Sequence, residues 1–182
     1  MLAAAVAVVS AQAASVSWTA RKVQNANGDS ISGIAYFVNA AILSQNAFSA
    51  LNGASAFTTA LDGMYSWTPT TAGTYTKSAS NTNLGLSDAT ADYSVYLAIF
   101  DTATITDSSN YFLTSVKALD TLTGTETASI SWGSLETASK VAGAWSSVKA
   151  ADPEPPIDSP EPTSGLLMLI GAAGLALRRK RA

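Results

Sequence analysis

The side chains able to do chemistry in this chain are few, and what is missing narrows the field first. The 182 residues contain no His and no Cys. That removes the common zinc sites, Ser-His-Asp triads, Cys-His dyads and any disulfide framework. What remains is carboxylates, amides and aromatics. Asp101 and Asp107 bracket a polar loop, and a carboxylate pair is the minimum equipment for glycoside hydrolysis. Acidic loop ends are more often solvated turn residues, and sequence fixes no distance between these two. Asp88 and Asp92, with Asn81 and Asn83, offer hard oxygen ligands of the kind Ca²⁺ takes, without the twelve-residue EF-hand spacing. Trp18, Trp67, Trp132 and Trp145, with Tyr36, Tyr75 and Tyr96, supply rings on which a sugar could stack. Trp18 and Trp132 fall on inward-facing positions and read as core. Trp67, just before Pro69, reads as the best exposed candidate. Gly124 and Gly133 stand alone, so no phosphate-binding glycine loop is present. No catalytic residue, metal site or cofactor is expected from this inventory.

The elements that must position these residues read as mainly β or α+β: an antiparallel, sandwich-like domain with one or two short inserted helices. Val16, Trp18 and Ala20 alternate with Ser17, Thr19 and Arg21, the period of a half-buried strand. Asn27-Gly28 predicts a type I′ hairpin into a strand over Ser30 to Val38, which is apolar on both faces and therefore central. Leu43, Ala47, Ala50 and Leu51 share a helical face ended by Asn52-Gly53. Ser55 is placed to cap a second helix carrying Phe57, Ala60 and Leu61, ended by Gly63. Strands are expected over Met64 to Thr68, Thr74 to Ser78, Tyr93 to Phe100, Tyr111 to Ala118 and Thr127 to Trp132, the last with Ala128, Ile130 and Trp132 inward. From Ser134 to Val148 the pattern fits a helix through Leu135, Ala138, Val141 and Ala142, or an edge strand at Ala144-Trp145-Ser146.

Both ends differ in kind from this body. Leu2 to Val9 is apolar, and Ala11-Gln12-Ala13 has the small residues signal peptidase requires. Residues 1–13 therefore read as a signal peptide cut between Ala13 and Ala14, or alternatively as a buried first strand. No Lys or Arg precedes Arg21, which fits a signal whose start lies upstream. At the other end, residues 151–159 begin a proline-rich linker, with five prolines between Ala151 and Pro162. Pro160-Glu161-Pro162 then precedes an apolar run from Gly165 to Leu177 and the cluster Arg178-Arg179-Lys180-Arg181. Those cations resist the hydrocarbon by about 3 kcal/mol each, which holds them on the cytoplasmic side. The run makes a helix of roughly 20 Å against a hydrocarbon core of about 30 Å, a marginal anchor. Its apolar residues occupy all faces, which favours a membrane segment over a buried core helix.

These three parts in this order resemble the PEP-CTERM sorting signal of bacterial exported proteins. The resemblance is confined to residues 160–182. It implies that Pro160, Glu161 and Pro162 are recognised by an exosortase, a membrane-embedded processing enzyme that cuts near the motif and releases the body. The earlier Pro153-Glu154-Pro155 reads as linker. The expected domains are then a signal peptide 1–13, a globular extracellular domain 14–150, the linker, and the sorting tail with its membrane segment 165–177.

Without the four tail cations the chain holds six Lys and Arg against thirteen Asp and Glu, a net charge of −7. That is a poor match to nucleic acid, whose binding rests on cations. The expectation is a non-enzymatic protein exported to the cell surface or an extracellular polysaccharide matrix. Its partners would be signal peptidase, an exosortase-type enzyme, transiently the membrane, and a polysaccharide. A carbohydrate-binding or adhesive module on the same route is the alternative, and a hydrolase using Asp101 the third reading.

Overall fold

The computed structural model describes residues 15–86, 93–119 and 127–150. The chain divides into two units, Met1–Ala150 and Ala151–Ala182, and all described residues belong to the first. Asp88, Asp92, Gly124, the signal-peptide residues with Ala13 and Ala14, the linker, and the tail with Pro160 to Arg181 lie outside the described residues. Among the described residues no helix is long and apolar enough to cross a membrane.

The body is mostly β, built as two packed sheets with two of its short helices on the far side of the larger one. In the smaller sheet, β1 (Ser15–Arg21) lies between β4 (Tyr75–Ser80), antiparallel, and β8 (Thr127–Ser134), parallel. The larger sheet runs β3 (Ser66–Trp67), β2 (Ala35–Asn39), β5 (Tyr93–Phe100), β6 (Asn110–Leu113), β9 (Ser146–Ser147), and β7 (Lys117–Leu119) also pairs with β5. All its pairings are antiparallel. Three short helices, where one or two were expected, are α1 (Gln45–Ser49), α2 (Ala54–Ala60) and α3 (Glu136–Lys140).

β5 explains the architecture. Its apolar run has no polar face because both sides are covered, the signature of a strand buried twice. Val95, Leu97 and Ile99 join Trp18, Phe37, Tyr75, Ile130 and Trp132 in the core between the sheets. Tyr96, Ala98 and Phe100 join Phe48 of α1, Phe57 of α2 and Tyr111 in a second core beneath the helices. That second core is aromatic, with Phe48 5.2 Å from both Phe57 and Tyr111 between ring centroids.

Four expectations are corrected. β1 does not form a hairpin with β2. The Asn25 side chain accepts from the amides of Asn27 and Asp29 at 3.0 and 2.9 Å, so the turn closes on itself and leaves a single bridge, Gln24 to Ser30. Asn27 is not left-handed, as a type I′ turn would require. In α1 the buried residue is Phe48, while Ala47 and Ala50 face solvent. In α3, Ala138 is likewise exposed and Ser139 buried, and the edge strand at 146–147 coexists with that helix. Tyr111 to Ala118 is two strands rather than one. Between them Thr114 Oγ1 takes the Leu97 amide at 2.9 Å, a side chain standing in for a backbone carbonyl.

Candidate functional site

The carboxylates proposed for chemistry are engaged in holding the fold. Asp101 directly follows β5, and its two oxygens accept from the Asn110 amide and from Asn110 Nδ2, each at 2.8 Å. The pair closes the loop between β5 and β6. Asp107 Oδ1 accepts from the Ala54 amide at 2.8 Å and so caps α2 from a distant loop. That is the cap expected of Ser55, which does not serve: the cap position falls two residues earlier, at Gly53 with φ +85°, and Ser55 lies inside the helix. Among the described residues no group of three acidic, His or Cys side chains is placed to hold a metal. Asn81 is buried with Oδ1 unpartnered, whereas Asn83 is exposed.

The aromatic platform also dissolves. Trp67 is only 9% exposed, packed 5.1 Å from Trp18 and 6.4 Å from Tyr75 between ring centroids. Pro69 marks the end of β3 but does not turn the ring outward. Trp18 is buried as expected, and Trp132 donates to Ser115 O at 2.7 Å. Trp145, half-buried, donates to the carbonyls of Gln24 and Ser139 at 3.0 and 2.9 Å. Tyr75 and Tyr96 spend their hydroxyls on Gly33 O and Leu43 O. Burial pushes both phenols well above their ordinary range, and the charge of Asp101 adds to the effect at Tyr75. Tyr36 is raised by burial as well.

A different surface emerges from the same strands. The inward residues of β1 are apolar, so its outward ones are Ser15, Ser17 and Thr19. The register places Ser80, Ser78 and Thr76 of β4 opposite them on one side, and Thr127, Ser129 and Ser131 of β8 on the other. Every outward position of this three-by-three grid is a hydroxyl. Ser15 and Thr127 hydrogen-bond at 2.9 Å, Thr19 and Thr76 at 2.7 Å. Rows repeat about every 6.8 Å along a strand and columns about every 4.8 Å across the sheet.

Two recesses border this sheet. One, of about 460 Å³, is lined by Thr19, Arg21, Lys22, Ser131, Gly133 and Ser134. It lies where the pairing of β1 with β8 slips by one residue after Thr19, a bulge at which Gly133 turns left-handed at φ +65°. The other, of about 150 Å³, lies off β4 and is lined by Thr70, Thr71, Thr74, Thr76, Lys77 and Trp67 among others. Lys22 pairs with Glu136 at 2.8 Å, which raises the lysine and lowers the carboxyl from their ordinary values. Among the described residues Arg21 and Lys77 form no ion pair.

The strand alternation that betrayed the core in the sequence also carries this face, in Ser15, Ser17, Thr19 and Ser129, Ser131. Its assembly required knowing that β1, β4 and β8 are neighbours. No protein-family model matches the chain, and neither a curated protein nor a solved structure matches it.

Proposed function

We propose that this chain is an exported, non-catalytic protein, sorted through a PEP-CTERM-like tail to the cell envelope or an extracellular polysaccharide matrix, where its β-rich body has a structural or surface-associated role. The observation that carries the reading is the sequence of the tail, three parts in succession: Pro160-Glu161-Pro162, the apolar run Gly165 to Leu177, then Arg178-Arg179-Lys180-Arg181. An exosortase-type enzyme would read that motif while the apolar run holds it at the membrane. Signal peptidase would act between Ala13 and Ala14. Two features support it. The division of the chain between Ala150 and Ala151 coincides with the onset of the proline-rich stretch. Asp101 and Asp107, the carboxylates nearest to a hydrolase reading, are committed to Asn110 and α2.

The test is relocation. Removing residues 160–182 in the producing cell should keep the body from the surface, and grafting them onto an exported reporter should send the reporter there. An unchanged destination for the truncated chain would overturn the reading. A carbohydrate-binding or adhesive role on the same route is favoured by the hydroxyl grid, while Trp67, the ring read as its best exposed candidate, is buried.

A further inference from the structure

We propose that Asn27-Gly28 is a site of self-deamidation, in which the Gly28 nitrogen converts Asn27 into Asp or isoaspartate and Lys140 speeds the step. The Gly28 nitrogen bonds to Asn27 Cγ, the Cγ–Nδ2 bond breaks, and ammonia leaves with the proton that Gly28 gives up. Water then opens the resulting succinimide. Cleavage between the nitrogen and Cγ gives Asp, and cleavage between the nitrogen and the backbone carbonyl carbon gives isoaspartate. Water is the sole co-reactant.

The chain holds two Asn-Gly pairs, Asn27-Gly28 and Asn52-Gly53. Glycine is the favourable successor because no Cβ shields its nitrogen. Both asparagines are exposed, so access to solvent does not separate them. Hydrogen bonding does. At the second pair Gly53 N donates to Val148 O at 2.8 Å, and Asn52 Oδ1 accepts from the Ala150 amide at 3.0 Å. Nucleophile and electrophile are thus both tied to the distant segment 148–150 and must leave it before they can meet.

At the first pair the ties are short. Gly28 N donates to Asn25 O at 3.0 Å, Asn25 N donates to Asp29 O at 2.9 Å, and Asn25 Oδ1 accepts from the amides of Asn27 and Asp29. Every partner lies between residues 25 and 29, so these bonds can open without parting a strand pair or either core. Local openings of this kind take far less free energy than unfolding. Among the described residues the Asn27 side chain makes no hydrogen bond, so nothing holds its Cγ away from the nitrogen.

A cation stands at the nucleophile. A Cβ at Gly28 would lie 3.0 Å from Lys140 Cε and 3.5 Å from Nζ, so the last residue of α3 lays its ammonium beside the glycine. A positive charge there favours the deprotonated amide nitrogen and the oxyanion that forms as it attacks Cγ. Asp29, the carboxylate of the turn, is engaged by Asn25 Nδ2 at 3.2 Å. Either product adds a negative charge to the turn, and isoaspartate also adds one methylene to the backbone between β1 and β2.

The experiment incubates the full chain in mild detergent at mildly alkaline pH and follows both asparagines by peptide mass spectrometry, with isoaspartate separated chromatographically. In the folded chain Asn27 should convert at least about tenfold faster than Asn52, which must first lose two hydrogen bonds to remote partners. In urea the two rates should converge. Lys140→Gln should slow Asn27 about two- to fivefold in the folded chain, the size of an exposed charge interaction, and less so at high salt. Lys140→Arg should restore the rate, and neither variant should alter it in urea. Lys140 is exposed, so both variants keep the fold. Equal rates at the two sites in the folded chain, conversion of Asn27 in urea alone, or a folded-state rate untouched by Lys140→Gln would overturn the proposal. None of these outcomes depends on where the tail sends the protein, so this inference and the sorting reading fail separately.

Discussion

Gly33 is the most tightly enclosed glycine among the described residues, and replacing it measures how rigidly β5 is held against the chain entering β2. A Cβ at Gly33 would overlap Phe100 O and lie 2.7 Å from the carbonyl carbons of Phe100 and Asp101. These are backbone atoms at the end of β5, so no rotamer change relieves the overlap. β5 would have to retreat while the bonds Phe100 N to Ile34 O (2.8 Å) and Ile34 N to Thr102 O (2.9 Å) hold it in place. The buried hydroxyl of Tyr75 donates to Gly33 O at 3.1 Å and would be disturbed as well. Overpacking typically costs 1–3 kcal/mol, and weakening one or two buried hydrogen bonds adds about 1 kcal/mol each. Gly33→Ala should therefore cost about 4 kcal/mol and lower Tm on the order of 10 °C. Gly63→Ala is the comparison. Gly63 has φ +73° but nothing within 4 Å, so only the left-handed penalty of about 1–2 kcal/mol applies. Urea and thermal unfolding of both variants decide the matter. If Gly33→Ala is no more destabilising than Gly63→Ala, the close approach of β5 to residue 33 is wrong.

Three further outcomes follow from individual contacts. Asp107→Ala should cost about 1 kcal/mol by uncapping α2, and Asp107→Asn, which keeps an acceptor, should recover most of it in the same denaturation assay. Because Tyr75 and Tyr96 are raised in the folded chain while unfolded tyrosine titrates near pH 10, only the unfolded state releases these protons first. Stability should hold below about pH 10 and fall as pH rises beyond it, with part of the phenolate absorbance appearing only on unfolding; full phenolate absorbance with the fold intact would contradict this. Lys22 sits at φ +54°, and Lys22→Gly should raise the unfolding midpoint, with a gain of up to about 1 kcal/mol, since the exposed pair it loses to Glu136 contributes little.

What the sequence disclosed was local and periodic. β1, β5 and β8 were legible because alternation, or its absence in β5, reports which faces are covered. The Asn27-Gly28 hairpin failed because Asn25 competes for the turn amides, and the true neighbours of β1 begin at Tyr75 and Thr127. No short-range pattern encodes such pairings. The face of α1 was misjudged for a reason of volume: one Phe48 fills the space that a row of alanines cannot. Trp67 was judged from Pro69 alone, while Trp18 and Tyr75, far away in the chain, decide its burial. The hydroxyl grid was spelled out in the polar half of the strands, whose significance appears only once three of them lie side by side.

The most direct measurement of the central claim is the intact mass of the protein recovered from its producing cell. The account predicts a mature chain that begins at Ala14 and ends near Pro160–Pro162, with Arg178 to Arg181 gone. A chain still carrying Gly165 to Arg181 at the cell surface would contradict it.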